Sequence, residues 1–156
     1  MQNVWIFNFA EPIEEGQAQL LAAKLQEHLS QWKAHGTPVQ SRVALRYAHF
    51  LFVEAITDVS GCSIDWLQHT VLGIVQELSL VLADHSRIFF WRDELVESID
   101  FRELEPALLS GKLTSDTVVF DHRALQNGEF DRWEVPLRNT WMSRYMPYAT
   151  SPHNNN

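Results

Sequence analysis

The sequence of 156 residues is short of cysteine, of basic side chains and of long hydrophobic stretches. Its only cysteine is Cys62, which excludes an intrachain disulfide and a thiolate-rich zinc site. No apolar run approaches the roughly 20 residues that a membrane-spanning helix needs, so we expect no membrane association. Twelve basic residues against twenty acidic ones give a net charge of −8. Binding to nucleic acid, which draws most of its affinity from lysine and arginine, is therefore not expected.

The remaining composition is that of a globular protein, with 46% hydrophobic and 12% aromatic residues. These fractions exclude disorder, a collagen-like repeat and low complexity as the main character of the chain. A chain of this length usually forms one domain, which we expect to span residues 1–150. Residues 151–156 are polar and end in three asparagines, which predicts a disordered tail. The first ten residues lack the basic segment and the hydrophobic core of a signal peptide, so we expect a cytoplasmic protein.

Hydrophobic periodicity predicts strands and helices in alternation over the first ninety residues. The first helix follows a short strand, and Gly36 closes it. Alternating side chains then predict a hairpin with a tight turn near Tyr47 and Ala48, for which one long strand is the alternative. The second helix ends near Asp84. The predicted order is a strand over 4–9, a helix over 11–35, a hairpin over 41–55, a loop over 58–63 that leads into a helix with its apolar stripe over 64–82, and a strand over 87–91.

This order, β-α-β-β-α-β, matches the ferredoxin-like split β-α-β arrangement, in which two helices cover one face of an antiparallel sheet. The later segments predict a C-terminal α/β extension of that core. The extension begins with a hairpin turn at 93–94. A short helix follows, with Asp100 and Glu103 at the spacing of a capping box and Gly111 at its end. We therefore expect an α+β fold that closes with an aromatic segment over 133–148.

Four short strings together resemble a family of small uncharacterised bacterial proteins. They are WKAHGTP at 32–38, GCSID at 61–65, TVVF at 117–120, and WEVPL with TW at 133–141. Members of that family often carry the label "ABC transporter ATPase", but the resemblance implies no established activity and no catalytic residues. A phosphate-binding loop needs Gly-x-x-x-x-Gly-Lys-Ser/Thr. The nearest string begins with Pro106 and has Leu113 in place of the serine or threonine, so we expect no ATP hydrolysis.

The string at 61–65 is chemically the most informative part of the sequence. If the second helix begins here, Cys62 lies in its first turn, where the helix dipole favours the reactive thiolate. Asp65 and His69 follow at i+3 and i+7, so His69 could take the proton of the thiol while Asp65 orients the imidazole. His35 is the alternative base, because the first helix ends and the second begins at the same end of a split β-α-β fold.

The same string also has a structural interpretation. Gly61 permits the turn, Ser63 and Asp65 cap the first turn of the helix, and Cys62 fills a small buried space. As a further alternative, the N–H groups near Gly61 and Ser63 could bind a small, mostly uncharged ligand or a peptide carboxylate. The histidines and Cys62 are suitable metal ligands, but no paired spacing supports a metal site. We expect neither a metal nor a cofactor.

Six tryptophans are many for a chain of this length. Core anchoring is the preferred interpretation, because each tryptophan buries a large apolar area. The functional alternative is an exposed aromatic surface in the C-terminal segment, formed by Trp133, Trp141 and Tyr145, that binds a protein partner or a second copy of the chain.

These observations favour a non-catalytic binding or scaffold module. The competing hypothesis is a small thiol-dependent enzyme, in which Cys62 attacks an acyl or thiol substrate and His69 or His35 takes the proton. An enzyme requires a histidine within hydrogen-bond reach of Cys62 in a partly open pocket. A binding module requires an exposed aromatic patch instead.

Overall fold

The computed structural model describes residues 3–147, in which antiparallel sheets and four α-helices form a mixed α+β architecture. The chain divides after Asp84 into two compact units, each of which is described by itself. The expectation of one domain over residues 1–150 stays a prediction, and the tail at 151–156 lies outside the described residues. Over residues 3–147, no helix is long and apolar enough to cross a membrane.

Over residues 3–84, the N-terminal unit contains five strands and two helices. They are β1 (Val4–Asn8), α1 (Glu15–Leu29), β2 (Lys33–Ala34), β3 (Thr37–Pro38), β4 (Ser41–Arg46), β5 (Phe50–Ala55) and α2 (Gly61–Glu77). Three of the strands form an antiparallel sheet in the order β1-β5-β4, and β2 pairs with β3 in a small hairpin. Val53 is the register partner of both Trp5 and Val43, and the half-buried Val43 packs against the hydrophobic core to which Trp5 and Val53 belong. The alternation of a strand therefore directs one face of this sheet into the core.

Both helices bury one apolar stripe in that same core. The stripe of α1 consists of Leu21, Leu25 and Leu29, and that of α2 consists of Leu67, Val71, Ile74 and Val75. The spacing of three and four residues brings these side chains onto one side of each helix. The two predicted helices are thus present, and the tight turn of the predicted hairpin lies at Tyr47 and Ala48, both with positive φ.

The predicted first helix was too long at both ends. Ile13 is buried and its N–H donates to the carbonyl of Ala48 at 2.9 Å, so the chain before Glu15 follows the β4–β5 hairpin instead of starting the helix. Gly36 does not close α1, which ends at Leu29. His35 and Gly36 have φ of 51° and 78° and form the two-residue turn between β2 and β3. Positive φ at both positions is typical of the tightest hairpin turns.

The second helix was also predicted too long. It ends at Glu77, and Ser79 follows with a φ of 58°. The chain then forms an isolated antiparallel bridge between Leu82 and Phe9. The backbone N–H groups of Ala10 and Ala83 donate to the carbonyls of Val81 and Asn8 at 3.0 and 2.7 Å. Leu82 therefore packs against the same core as the apolar stripe of α2, but it does so from an extended segment.

The C-terminal unit is built on a second antiparallel sheet, in the order β7-β6-β8-β9. Its elements are β6 (Arg87–Arg92), β7 (Leu95–Asp100), α3 (Leu104–Ser110), β8 (Val118–Phe120), α4 (His122–Gln126) and β9 (Glu134–Pro136). Two 3₁₀ turns, Leu137–Asn139 and Trp141–Tyr145, follow β9. A separate core cluster, which includes Ile88, Phe90 and Met142, lies within this unit. The strand predicted over 87–91 is therefore present, but its place in the first sheet was wrong.

The short helix of this unit ends as predicted, and the predicted capping box is present, but the box caps a 3₁₀ turn, Phe101–Glu103, that precedes α3. Asp100 accepts from the N–H of Arg102 at 2.9 Å, and Glu103 accepts from the N–H of Asp100 at 3.1 Å, which completes the capping box. Gly111 ends α3 with a φ of 80°. The string at 106–114 therefore contains the end of a helix, whereas a phosphate-binding loop leads from a strand into a helix.

Candidate functional site

Cys62, the predicted nucleophile, lies in the first turn of α2. The helix cap is Ser60, whose Oγ accepts from the N–H of Ser63 at 3.2 Å. Ser63 in turn accepts from the N–H of Ser60 at 2.7 Å. Ser63 is only 3% exposed. Its hydroxyl and its N–H are therefore engaged in capping the helix, which is the structural role that the sequence also suggested.

The structure brings His35 and Cys62 to one open cavity of about 570 Å³. The indole N–H of Trp32 donates to the carbonyl of Ser63 at 2.8 Å, and the Trp32 ring stacks on Trp66 with centroids 6.3 Å apart. These contacts hold the segment that leads to His35 against the start of α2. Cys62 is exposed. The cavity is lined by Gln31, Lys33, His35, Ser60, Gly61, Cys62, Ser63 and Trp66.

Asp65 and His69 do not join Cys62 in this cavity. Both are exposed on α2, and neither belongs to its lining. Between residues 3 and 147, no hydrogen bond connects the thiol of Cys62 to a histidine. In the same part of the chain, no three His, Cys, Asp or Glu side chains are grouped so that they could hold a metal ion.

A second cavity, of about 400 Å³, lies in the C-terminal unit and was not predicted. We call it the arginine cavity. Three separate elements supply its polar side chains, namely the start of β6, the start of α4 and the last 3₁₀ turn. Its lining consists of His85, Ser86, Arg87, Ile88, Phe101, Phe120, Asp121, His122, Arg123, Trp141, Met142, Arg144 and Tyr145.

Side-chain contacts position Arg87 and Arg123, and the local turn places Arg144. Arg87 donates to the hydroxyl and the carbonyl of Ser98 at 2.9 and 3.1 Å. The guanidinium carbon of Arg123 lies 4.5 Å from the centre of the Trp141 ring, a cation–π contact. Arg144 follows Trp141 by three residues in a 3₁₀ turn. Side chains three residues apart in such a turn lie on the same side, so Arg144 and Trp141 share one face.

The arginines of this cavity differ from the other arginines of the unit in their partners. Residues 85–156 include eight lysines and arginines. Four of them form ion pairs, Arg92 with Glu97, Arg102 with Asp100, Arg132 with Glu129 and Arg138 with Asp116. Arg87, Arg123 and Arg144 have no carboxylate partner within residues 3–147, and Lys112 is the fourth such residue of this unit. Three of the four unpaired basic residues in the described part of the unit thus line one cavity.

Among the described residues that line the arginine cavity, Asp121 is the only one with a carboxylate. Its Oδ1 accepts from the backbone N–H of Arg123 at 3.1 Å and caps α4. Against three arginines, this single negative charge leaves an excess of positive charge.

His122 is a neutral member of the lining at pH 7. Burial lowers its pKa to about 4. Its Nδ1 accepts from the indole N–H of Trp133 at 3.0 Å. Because that N–H is only a donor, Nδ1 carries no proton and the neutral ring holds its proton on Nε2. His122 therefore adds a polar group to the cavity and no charge near neutral pH.

Aromatic side chains form the apolar wall of the arginine cavity. Phe101 lies 5.9 Å from Trp141 and 5.4 Å from Tyr145, measured between ring centroids. Trp133 is in contrast 3% exposed and packs against Phe120 with centroids 5.0 Å apart. Of the aromatic surface expected from the sequence, Trp141 and Tyr145 thus line the cavity, whereas Trp133 belongs to the core.

The arginine cavity combines guanidinium donors, a neutral imidazole and aromatic walls, and its volume lies within the range of small-molecule pockets. Comparison of the chain with protein-family models, with curated proteins and with solved structures gives no match. The resemblance to a bacterial family therefore stays an expectation, and the chemistry of the cavity is inferred from its own residues.

Proposed function

We propose that the protein is a non-catalytic binding module, and that its arginine cavity binds a small anionic ligand. The observation that carries this proposal is the position of Arg87, Arg123 and Arg144. The chain has twenty carboxylates for twelve basic residues, yet these three arginines have no carboxylate partner in the described part of the chain.

Like charges that line one cavity repel each other, and a bound anion relieves that repulsion. Arg123 supports the proposal most directly. When a guanidinium lies over an aromatic ring, its N–H groups remain available at the edge of its plane and match the oxygens of a carboxylate or a phosphate. Trp141 thus fixes the orientation of a donor that lacks a carboxylate partner among residues 3–147.

Isothermal titration at low ionic strength tests this proposal with benzoate and phenyl phosphate as anionic probes and benzyl alcohol as the neutral control. We expect an anionic probe to bind and the alcohol not to bind. Arg144→Ala should weaken binding about tenfold or more, because charge-assisted hydrogen bonds are the stronger ones. Arg138→Ala is the matched control, since Arg138 lies in the preceding 3₁₀ turn, outside the cavity lining. Failure of both anions to bind, or equal effects of the two variants, would contradict the proposal.

A second candidate function is thiol chemistry at Cys62. It is favoured by one observation, the presence of His35 and the exposed Cys62 in the lining of the same cavity. If His35 is the base, His35→Gln should slow alkylation of Cys62 by iodoacetamide near neutral pH. His69→Gln should leave the rate unchanged, since His69 lies outside this lining. A rate equal to that of a free thiol, and insensitive to His35→Gln, would exclude this chemistry.

We also infer that the N-terminal unit is a ferredoxin-like split β-α-β whose fourth strand is reduced to the bridge at Leu82. The order β1-β5-β4 supports this inference, because it is the order of the first, third and second strands in that topology. The bridge to Phe9 adds the fourth strand beside β1, which is its place in the same topology. Hydrogen exchange tests the inference, since the amides of Ala10 and Ala83 should exchange slowly if the bridge persists in solution. Fast exchange at both would contradict it.

A further inference from the structure

We propose that the ligand of the arginine cavity is a small phosphomonoester whose organic part is a flat ring. This inference rests on the proposed function, the binding of a small anion, and specifies its chemical class. Three features of the cavity lead to it, namely its net charge, the arrangement of its donors and its aromatic wall.

The net charge favours a dianion. Arg87, Arg123 and Arg144 contribute three positive charges and Asp121 one negative charge, while His122 is neutral at pH 7. A phosphomonoester carries about −1.5 to −2 at that pH, which balances the remaining two positive charges of these groups. A carboxylate carries a single negative charge and would leave one of them without a counter-charge.

The donors approach from separate elements. Arg87 is the first residue of β6 and donates to Ser98. Arg123 belongs to α4 and lies over the Trp141 ring. Arg144 belongs to the last 3₁₀ turn. A phosphoryl group presents three acceptor oxygens in three directions, whereas a carboxylate presents two in one plane. Arginines on three elements therefore suit the phosphoryl group better.

The aromatic wall and the volume of the arginine cavity indicate that its ligand has an organic part. A cavity of about 400 Å³ is of the size that holds a small organic molecule. Phe101, Trp141 and Tyr145 lie beside the arginines in the lining, with Trp141 and Tyr145 at an interplanar angle of 89°. Rings at such angles offer both a face and an edge to a planar guest, which are the two favoured aromatic arrangements.

The test is isothermal titration of the full chain with phenyl phosphate, inorganic phosphate and benzoate. We expect phenyl phosphate to bind at least about tenfold more tightly than either of the other two. Arg144→Ala and Arg123→Ala should each weaken phenyl phosphate about tenfold or more, and Arg132→Ala, which removes the ion pair with Glu129, is the control. Trp141→Leu should weaken the binding of phenyl phosphate more than that of inorganic phosphate, because only phenyl phosphate has a ring. Arg144 is exposed, so Arg144→Ala keeps the test valid if the Arg123 or Trp141 variants fail to fold.

The outcomes separate the two levels of the proposal. If benzoate binds as tightly as phenyl phosphate, the phosphomonoester is excluded and the proposed anion binding stands. If inorganic phosphate binds as tightly as phenyl phosphate, a ring in the organic part of the ligand is excluded. A terminally blocked phosphotyrosine peptide that binds more tightly than phenyl phosphate would overturn the small-molecule part, since the source would then be a protein. If none of these probes binds, the proposed function itself is wrong.

Discussion

The buried histidine of the arginine cavity makes stability depend on pH in a predictable direction. Burial lowers the pKa of His122 to about 4, whereas an unfolded histidine titrates near 6.5. Between these two pH values the unfolded chain binds a proton at this residue and the folded chain does not. Stability from the neutral ring is therefore present in full above pH 6.5 and is lost as the pH falls toward 4. The difference between the two pKa values corresponds to about 3 kcal/mol.

Urea unfolding of the protein and of His122→Asn, at several pH values from 7.5 to 4, measures this contribution. Asparagine has an amide oxygen that could accept from Trp133, but it does not titrate. We expect the free energy of unfolding of the protein to fall, relative to that of the variant, by about 3 kcal/mol over this range. An NMR titration of the His122 ring should give a midpoint near 4 directly. A midpoint near 6.5, or a difference between protein and variant that does not change with pH, would mean that burial does not lower the pKa of His122.

Four further substitutions concern stability, and urea unfolding measures the effect of each. Gly73→Ala should stabilise the protein by about 1 kcal/mol, because Gly73 lies inside α2 with nothing within 4 Å of an added Cβ. Gly111→Ala should destabilise it by about 1 kcal/mol, because Gly111 has a φ of 80°. Stability changes of the same sign in Gly73→Ala and Gly111→Ala would contradict these two expectations. Ser60→Ala should cost about 1 kcal/mol through loss of the α2 cap, and no loss would mean that the cap contributes nothing. Leu67→Ala should cost about 3 kcal/mol, since Leu67 is fully buried, and a loss below about 1 kcal/mol would contradict its place in the core.

Local signals in the sequence identified most elements correctly. The capping box at Asp100 and the positive φ at Gly111 depend on residues within one or two turns of the chain, and both lie as predicted. The predicted ends of the first two helices were wrong, because the apolar stripe of each helix continues into an extended segment. Trp32 and Leu82 fit the helical spacing, yet each follows the end of its helix. Periodicity records which side chains are apolar, and it does not distinguish a helical turn from an extended segment that faces the same core.

The two cavities differ in how far sequence reasoning could reach them. The proximity of His35 and Cys62 follows from the topology, because α1 leads toward the end of the sheet at which α2 begins, and both residues line one cavity. The arginine cavity depends on Arg87, Arg123 and Arg144, which come from separate elements and form no local motif. Which arginines lack a carboxylate partner is decided by tertiary contacts, and an overall charge of −8 gives no sign of it.

NMR detects anion binding at the arginine cavity at the level of a single residue. Phenyl phosphate is titrated into the protein while the indole N–H signals of Trp141 and Trp32 are followed. Trp141 lines the arginine cavity, and Trp32 lies in the core of the N-terminal unit and serves as an internal control. We predict a saturable shift at Trp141, none at Trp32, and loss of the Trp141 shift in Arg144→Ala. No saturable change at Trp141, or an equal change at Trp32, would contradict the account.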